Sequence, residues 1–501
     1  MAEILRDRGF FWWFNEPDFP ANSKETSVPA LLTIAEDGQI TLDADGSLCL
    51  KDEYQNWAKP RTLPESRRIA GRLASNGEYV LLEGLERTDY SLSDESPQQQ
   101  QFGAQMCARR DSLFPETYGR DNFIELRIEL TGFEDWLGLE SIVVDREYSE
   151  SGEVQVRVSY KEWEFKYPTL GGSISIESVT TGAPFLGLGS KYPTRDAQFR
   201  QHYYLVFRPD SLSDISNLRY TYTKLEELLA LLVGTYSRLA WPILVSKEEP
   251  FDAWNTLHFY RGTPSDHPIN RYSIWVPFAR IRDVLGELFR NWQTGSEAFG
   301  AGYYLYVSSL RNPHHYSDDR FVNLVWGIEA LHRKWLGEAE TSERVVGERK
   351  RVHGILSLLP ENSEDRKWLS QKLSNAHELS LRARILECLG KLPFTFGESE
   401  LEKFAKTCAN RRNDISHAGG PRDNVDYESF HTEISRLTEA LDHLFHALML
   451  HQIGIGPAII FEVMTNSLVS ERIKTALANV DLCIQAIAPL QRAISQNLPE
   501  P

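Results

Sequence analysis

Paired cysteines, a surplus of positive charge and any long uncharged apolar run are all missing from this chain, and each absence removes a class of function. Its five cysteines (Cys49, Cys107, Cys388, Cys408 and Cys483) are scattered, with no Cys-x-x-Cys among them. Such spacing offers neither a disulfide framework nor a cysteine-rich zinc site, and it fits a reducing cytoplasm. A formal charge of −17 at pH 7 argues against broad coating of nucleic acid or anionic membrane, because the far field repels polyanions. A local basic pocket stays compatible with it. The greasiest stretch, "LEELLALLVGTYSRLAWPILV" (225–245), carries Glu226, Glu227 and Arg238, whereas a spanning helix needs about 20 mostly apolar residues. We expect a soluble amphipathic helix there that breaks before Pro242, and no membrane association. "FFWWF" near the N-terminus is too short for a signal-peptide core. No Gly-x-Ser-x-Gly or His-Glu-x-x-His pattern appears, and no internal repeat. The glycines of "GAPFLGLGS" (182–190) lack the lysine and the strand–helix setting of a phosphate loop. No metal and no cofactor are expected.

What is present divides by periodicity. At 501 residues the chain exceeds one ordinary core, and 41% hydrophobic with 11% aromatic residues is a folded composition. The first two hundred residues read as β-rich. "ALLTIAEDGQITLDADGSL" alternates apolar and polar residues on both sides of Asp37-Gly38, a hairpin signal. Residues 77–85, 122–130, 153–160 and 202–209 repeat the strand pattern, and "SDESPQQQQ" (93–101) reads as a polar loop. The period then changes. Leu225, Leu228, Leu229, Leu232 and Val233 recur at helical spacing, and 283–292 is expected to be helical.

From about 318 onward nothing reads as strand. Phe321, Leu324, Val325, Ile328 and Trp335 form one stripe, and 344–359, 374–390 and 398–417 are further helix candidates. Residues 427–451 are the strongest, with Phe430, Ile434, Leu437, Leu441, Leu444 and Leu448 in register, and one more amphipathic helix is expected over roughly 468–495. The expected fold class is α+β multidomain. A β-rich module (1–215) precedes a mixed α/β middle region (216–312), an all-α bundle (313–455) and a C-terminal helical extension (456–501).

One stretch breaks from this pattern: "RRNDISHAGG" (411–420). The helix 398–417 has an apolar stripe of Leu401, Phe404, Ala405, Cys408 and Ile415. At ~100° per residue Arg412 falls within that stripe, so it must snorkel or find an acidic or phosphate partner. On a straight helix His417 points about 140° away from Arg412, and Gly419-Gly420-Pro421 then ends the helix. Between 403 and 422 five basic residues (Lys403, Lys406, Arg411, Arg412, Arg422) face one acid, Asp414. A histidine moves protons near neutral pH and an arginine holds phosphate through its fork of donors, which is a kit for phosphodiester chemistry. The same residues also suit a cationic helix end that merely complements its dipole. Other candidates fit structural roles: His443 and His446 as packing or solvent residues, His314-His315 as loop residues, and Glu329 with His332 as a polar pair inside the bundle.

Arg412-Asn413-Asp414-Ile415-Ser416-His417 resembles the R-(x)4–6-H motif of the HEPN superfamily, including the polar residue directly after the arginine. "LVWGIEALHR" (324–333) resembles the first HEPN helix of one branch. "GFFWWFNEP" followed by "VPALLTIAEDGQITLDADG" resembles the start of ApeA-type anti-phage defence proteins, in which a β-rich module precedes a C-terminal HEPN domain. The resemblance implies a cytoplasmic, metal-independent endoribonuclease in which the ribose 2′-hydroxyl attacks the adjacent phosphate. The products carry a 2′,3′-cyclic phosphate and a 5′-hydroxyl. By the same resemblance His417 is the general acid or base, Arg412 stabilises the charged phosphorane and Asn413 orients or binds RNA. Arg411, a supporting phosphate contact, has no guaranteed family counterpart. HEPN domains usually pair, so a homodimer or higher homo-oligomer is implied, with RNA as substrate and a phage-derived trigger. The main rival is a non-catalytic module that binds RNA or nucleotide without cutting. A third reading makes the β module a carbohydrate- or peptide-binding domain.

Overall fold

The computed structural model describes residues 3–486 apart from 15–26, 47, 49–67, 91–99, 121, 149–153, 182–183, 186–195, 198, 249, 263–268, 312–316, 338–341 and 423–425. Two compact units emerge. The first comprises 1–134, 139–226 and 237–268, and the second 135–138, 227–236 and the described residues from 269 on. His314, His315 and Cys49 lie outside the described residues, and the four described cysteines are free thiols.

The first unit is built on a closed ring of six antiparallel strands: Glu3–Phe14, Val28–Ala35, Ile40–Ala44, Gln100–Arg110, Tyr79–Tyr90 and Arg68–Leu73, the last pairing back with the first. Alternation explains its interior. Ala30, Leu32 and Ile34 face inward with Ile40, Leu42 and Ala44 across the Asp37-Gly38 hairpin, and Phe11, Trp13 and Phe102 complete the core. So narrow a barrel fills with its own side chains. A Cβ on Gly71 would come within 2.4 Å of the Phe11 ring, so glycine there makes room for it. Trp13 donates its indole N–H to Leu48 O, and Gln100 Oε1 accepts from Leu48 N at 2.9 Å. Gln100 and Gln101 therefore begin a strand rather than end the expected polar loop, whose residues before 100 lie outside the described ones.

One long strand carries the barrel into an open sheet. Along one edge of Gln100–Arg110, Gln100–Ala104 pairs with Ile40–Ala44 and Met106–Arg109 pairs with Thr256–Phe259. Beyond Ala253–Phe259 the order is Ile243–Ser246, Phe123–Glu129, Arg200–Pro209, Gly172–Thr181 and Glu164–Thr169. The helix expected over 225–241 runs over Ile215–Val233 and stops at Gly234 (φ +83°), where a Cβ would sit 2.0 Å from Trp275. "ILVS" (243–246) is a central strand, because a short β-branched apolar run takes whichever form its neighbours complete.

The second unit is helical. Leu285–Phe299, Ala301–Arg311, Ser317–Trp335, Glu343–Ser357, Glu364–Lys372, Leu381–Leu389, Glu398–Asn413 and Tyr427–Gln452 follow in order. Serine or aspartate side chains cap four of them, at Ser342, Ser363, Ser380 and Asp426. The stripes predicted on Ser317–Trp335 and Tyr427–Gln452 are buried, with Trp335 only partly so. The tail departs from expectation. Pro457–Asn466 and Ser470–Ala478 are separate helices broken at extended Ser467, and Gln485 bridges Thr395. Residues beyond 486 lie outside the described ones.

His443 and His446 are buried packing residues. His446 donates Nε2–H to Leu231 O (2.8 Å), accepts at Nδ1 from Tyr306 Oη (2.7 Å) and stacks on Trp275 at 3.9 Å. Burial pushes both histidines down to about 4. The folded chain therefore keeps them neutral while the unfolded chain protonates them near 6.5. Their contribution is fully present above pH 6.5 and is lost as pH falls toward 4. Thermal melts should drop steadily across that window, and a flat profile would contradict the assignment.

Candidate active site

The helix Glu398–Asn413 begins at Gly397 with Glu398 and Glu400 in its first turn, where carboxylates complement the dipole. Phe404, Ala405 and Cys408 are 2%, 0% and 0% exposed, which anchors its face against the bundle. Burial raises the Cys408 thiol far above its usual range, so it packs as an inert apolar group. Arg411, Arg412 and Asn413 form the last turn.

The helix does not then run straight to its end. Asp414–Ala418 is a π-helical turn, closed when Gly419, in the left-handed region at φ +69°, donates its N–H to Asp414 O and Ile415 O. An i→i+5 closure admits more residues per turn than an α-helix, so each residue rotates the chain by less than ~100°. The rotation from Arg412 to His417 is therefore smaller than on a straight helix, and the 140° separation expected there does not apply. His417 is exposed to solvent.

Arg412 finds the acidic partner its position demanded. Its Nη2 lies 3.6 Å from Glu329 Oε2, Nη1 donates to Asn413 Oδ1 at 3.0 Å, and the guanidinium sits 5.9 Å from the Trp326 ring centre. Nε is buried and makes no hydrogen bond within the structure. At 3.6 Å the Glu329 contact is loose beside the 2.7–2.9 Å of a strong charge-assisted bond. Glu329 is shared with Arg333 (3.1 Å), which Glu378 also holds (2.7 Å). Arg412 is thus oriented without being saturated. His332, fully buried, turns instead to Glu387 Oε2 at 2.8 Å. The expected Glu329–His332 pair is two separate contacts, because three residues along a helix reach different neighbouring helices.

Arg411 faces the other way. Its Nε donates to Glu433 Oε2 (2.7 Å), its Nη1 to Asp414 Oδ2 (3.0 Å), and its guanidinium lies over Phe430 at 5.4 Å. Burial opposes its charge, but the Asp414 and Glu433 carboxylates hold it more firmly protonated. Arg422 reaches Asp414 Oδ1 (3.4 Å) and Asn413 O (3.1 Å), so two arginines clamp the first residue of the π turn. Beside the clamp lies a concavity of about 310 Å³ lined by Thr407, Asn410, Arg411, Asn413, Asp414, Arg422 and Glu433. The basic cluster counted in sequence is largely partnered, Lys403 by Asp481 at 2.8 Å.

Trp326 and Glu433 were not singled out in the sequence. The three-residue spacing of Trp326 and Glu329 on one helix was a usable signal for the first. Nothing local marked Glu433, 22 residues from Arg411 on the following helix.

Comparison with known proteins gives two family matches. Residues 8–292 match the model described as ApeA N-terminal domain 1, and residues 322–457 match that described as Apea-like HEPN. The second spans the Arg412–His417 motif. No curated protein and no solved structure matches the chain. No helix among the described residues is long and apolar enough to cross a membrane.

Proposed function

The chain belongs to the ApeA family of HEPN proteins, and on that footing we propose that it is an anti-phage endoribonuclease that cuts RNA without a metal. One observation carries the reading. Arg412 is oriented by Glu329 and Asn413 yet unsaturated, at the same helix end as the exposed His417. The 2′-oxygen attacks the neighbouring phosphorus while the bond from phosphorus to the 5′-oxygen breaks. The hydroxyl proton leaves and the 5′-oxygen gains one, so a group with one nitrogen to accept a proton and one to donate it serves either transfer. His417 is that group. Arg412 offers its donors to the phosphorane oxygens, where charge accumulates in the transition state. Asn413 fixes the Arg412 guanidinium through Oδ1.

The motif works as a pair in a homodimer, so that two helix ends line one cleft. The β-rich half senses a phage-derived trigger or restrains the nuclease. Sedimentation checks the first claim, since an active monomer at assay concentration contradicts it. Expression of the bundle without the β-rich half checks the second, which fails if toxicity does not rise.

The decisive experiment incubates purified full-length protein with RNA in excess EDTA and maps the product ends. Undiminished cleavage leaving 2′,3′-cyclic phosphate and 5′-hydroxyl termini is expected. Activity lost on chelation and restored by a divalent ion would overturn the metal-free mechanism. Tight RNA binding with no cleavage would favour the non-catalytic binding module.

A further inference from the structure

Of the residues around the concavity beside the motif, Asn413 alone enters the chemistry above, and the lining says what the concavity can hold. Arg411 and Arg422 bring two positive charges, Asp414 and Glu433 two negative ones, and Thr407, Asn410 and Asn413 neutral polar groups. The charges cancel. The site also sits at the C-terminal end of Glu398–Asn413, the negative end of that helix dipole. A phosphate there would meet two carboxylates and the dipole, while an apolar group would strand every polar atom. The lining suits a neutral ligand with donors and acceptors along its edges. Its volume is roughly that of ten waters, enough for one nucleobase and part of its sugar.

We propose that this concavity holds the base of a nucleotide flanking the cut, and that the base is guanine. The proposal rests on the ribonuclease reading and adds a base preference to it. Both Asp414 oxygens are already engaged, by Arg411 and Arg422, which leaves Glu433 as the acceptor carboxylate. Glu433 commits Oε2 to Arg411, which fixes the carboxylate in place, and its side chain remains 38% exposed. Guanine is the RNA base with two adjacent donors, N1–H and the N2 amine, for one carboxylate to accept together. Its O6 and N7 acceptors match a guanidinium fork. Arg422, half exposed, and Asn410, exposed, line the same concavity and carry donors. Single-stranded RNA presents its base edges in just this way.

The test uses the full-length protein and short RNAs that differ only in the base beside the cut. Wild type should favour guanine by about tenfold or more, the discrimination typical of one bidentate base contact. Glu433→Gln should remove most of that preference. Because Glu433 also braces Arg411, Asn410→Ala, outside the ionic clamp, is the second variant, and it should weaken the preference without moving the melting temperature. Cutting without base preference, or a guanine preference that survives both variants, overturns the proposal. If the wild type cuts no RNA, the ribonuclease reading fails separately. The base site is then decided by titrating the chain with GMP, AMP, CMP and UMP. Preferential binding of GMP that Asn410→Ala weakens supports the site, and equal binding of all four refutes it.

Discussion

His417→Ala should lower RNA cleavage by about 10²–10⁴-fold, the usual loss for a missing proton-transfer group, while the protein stays folded. The side chain is exposed on the final turn, so its removal takes away little packing. If His417 only complements the helix dipole, the same change costs a few tenths to about 1 kcal/mol of stability and function persists. Arg412→Lys is the companion. Lysine keeps the charge and most of the stem but loses the planar fork that grips Asn413 and reaches toward Glu329. Glu329 retains Arg333 at 3.1 Å, so the variant leaves no buried carboxylate alone and should fold. We expect about a 10²–10³-fold loss, as for removal of one preorganised donor to a developing oxyanion. If Arg412 is only a helix-end cation, lysine should work nearly as well as arginine. Cleavage rates measured beside thermal melts separate the outcomes, and a folded, fully active His417→Ala would end the catalytic assignment.

Gly302→Ala should destabilise the helical unit by about 1–3 kcal/mol, the cost of overpacking a close contact. A Cβ there would stand 2.6 Å from Gly327 O and 2.9 Å from Leu331 N. Both are backbone atoms of Ser317–Trp335, so no rotamer change relieves the clash and the two helices must part. That helix also carries Trp326 and Glu329, so Arg412 should lose orientation and activity should fall with stability. Gly347→Ala is the control. It lies within Glu343–Ser357 with nothing within 4 Å of the added carbon, and should stabilise by about 0.4–1 kcal/mol. Equal melting temperatures for the two variants would refute the close-packing account.

Much of this could be read in the sequence because it is local. Alternation around Asp37-Gly38 gave the first hairpin, and the stripes of Phe321–Ile328 and Phe430–Leu448 gave two bundle helices whose apolar residues are buried as expected. The motif was legible as residue types at a fixed spacing, with Gly419 marking its end. Each of these signals is complete within a few turns of chain, where propensity and periodicity act without help from distant residues.

Closure of six strands into a barrel was not legible, because it depends on Arg68–Leu73 returning to Glu3–Phe14 across more than fifty residues. Nor was the fate of "ILVS", which the open sheet claims although a helix pattern runs toward it. At the site the sequence determined which groups are present: an arginine, an amide and a histidine beside a helix terminus. Tertiary structure decided what they face. Glu329 and Trp326 take Arg412, while Glu433 and Asp414 take Arg411. Adjacent arginines on a helix point about 100° apart, so neighbours from different helices capture them, and those neighbours exist only once the bundle has packed. The π turn is likewise set by hydrogen bonds that form at the end of a packed helix, with two arginines on Asp414 and Gly419 in the left-handed region. Residue spacing alone cannot show that the chain passes through a π turn between Arg412 and His417.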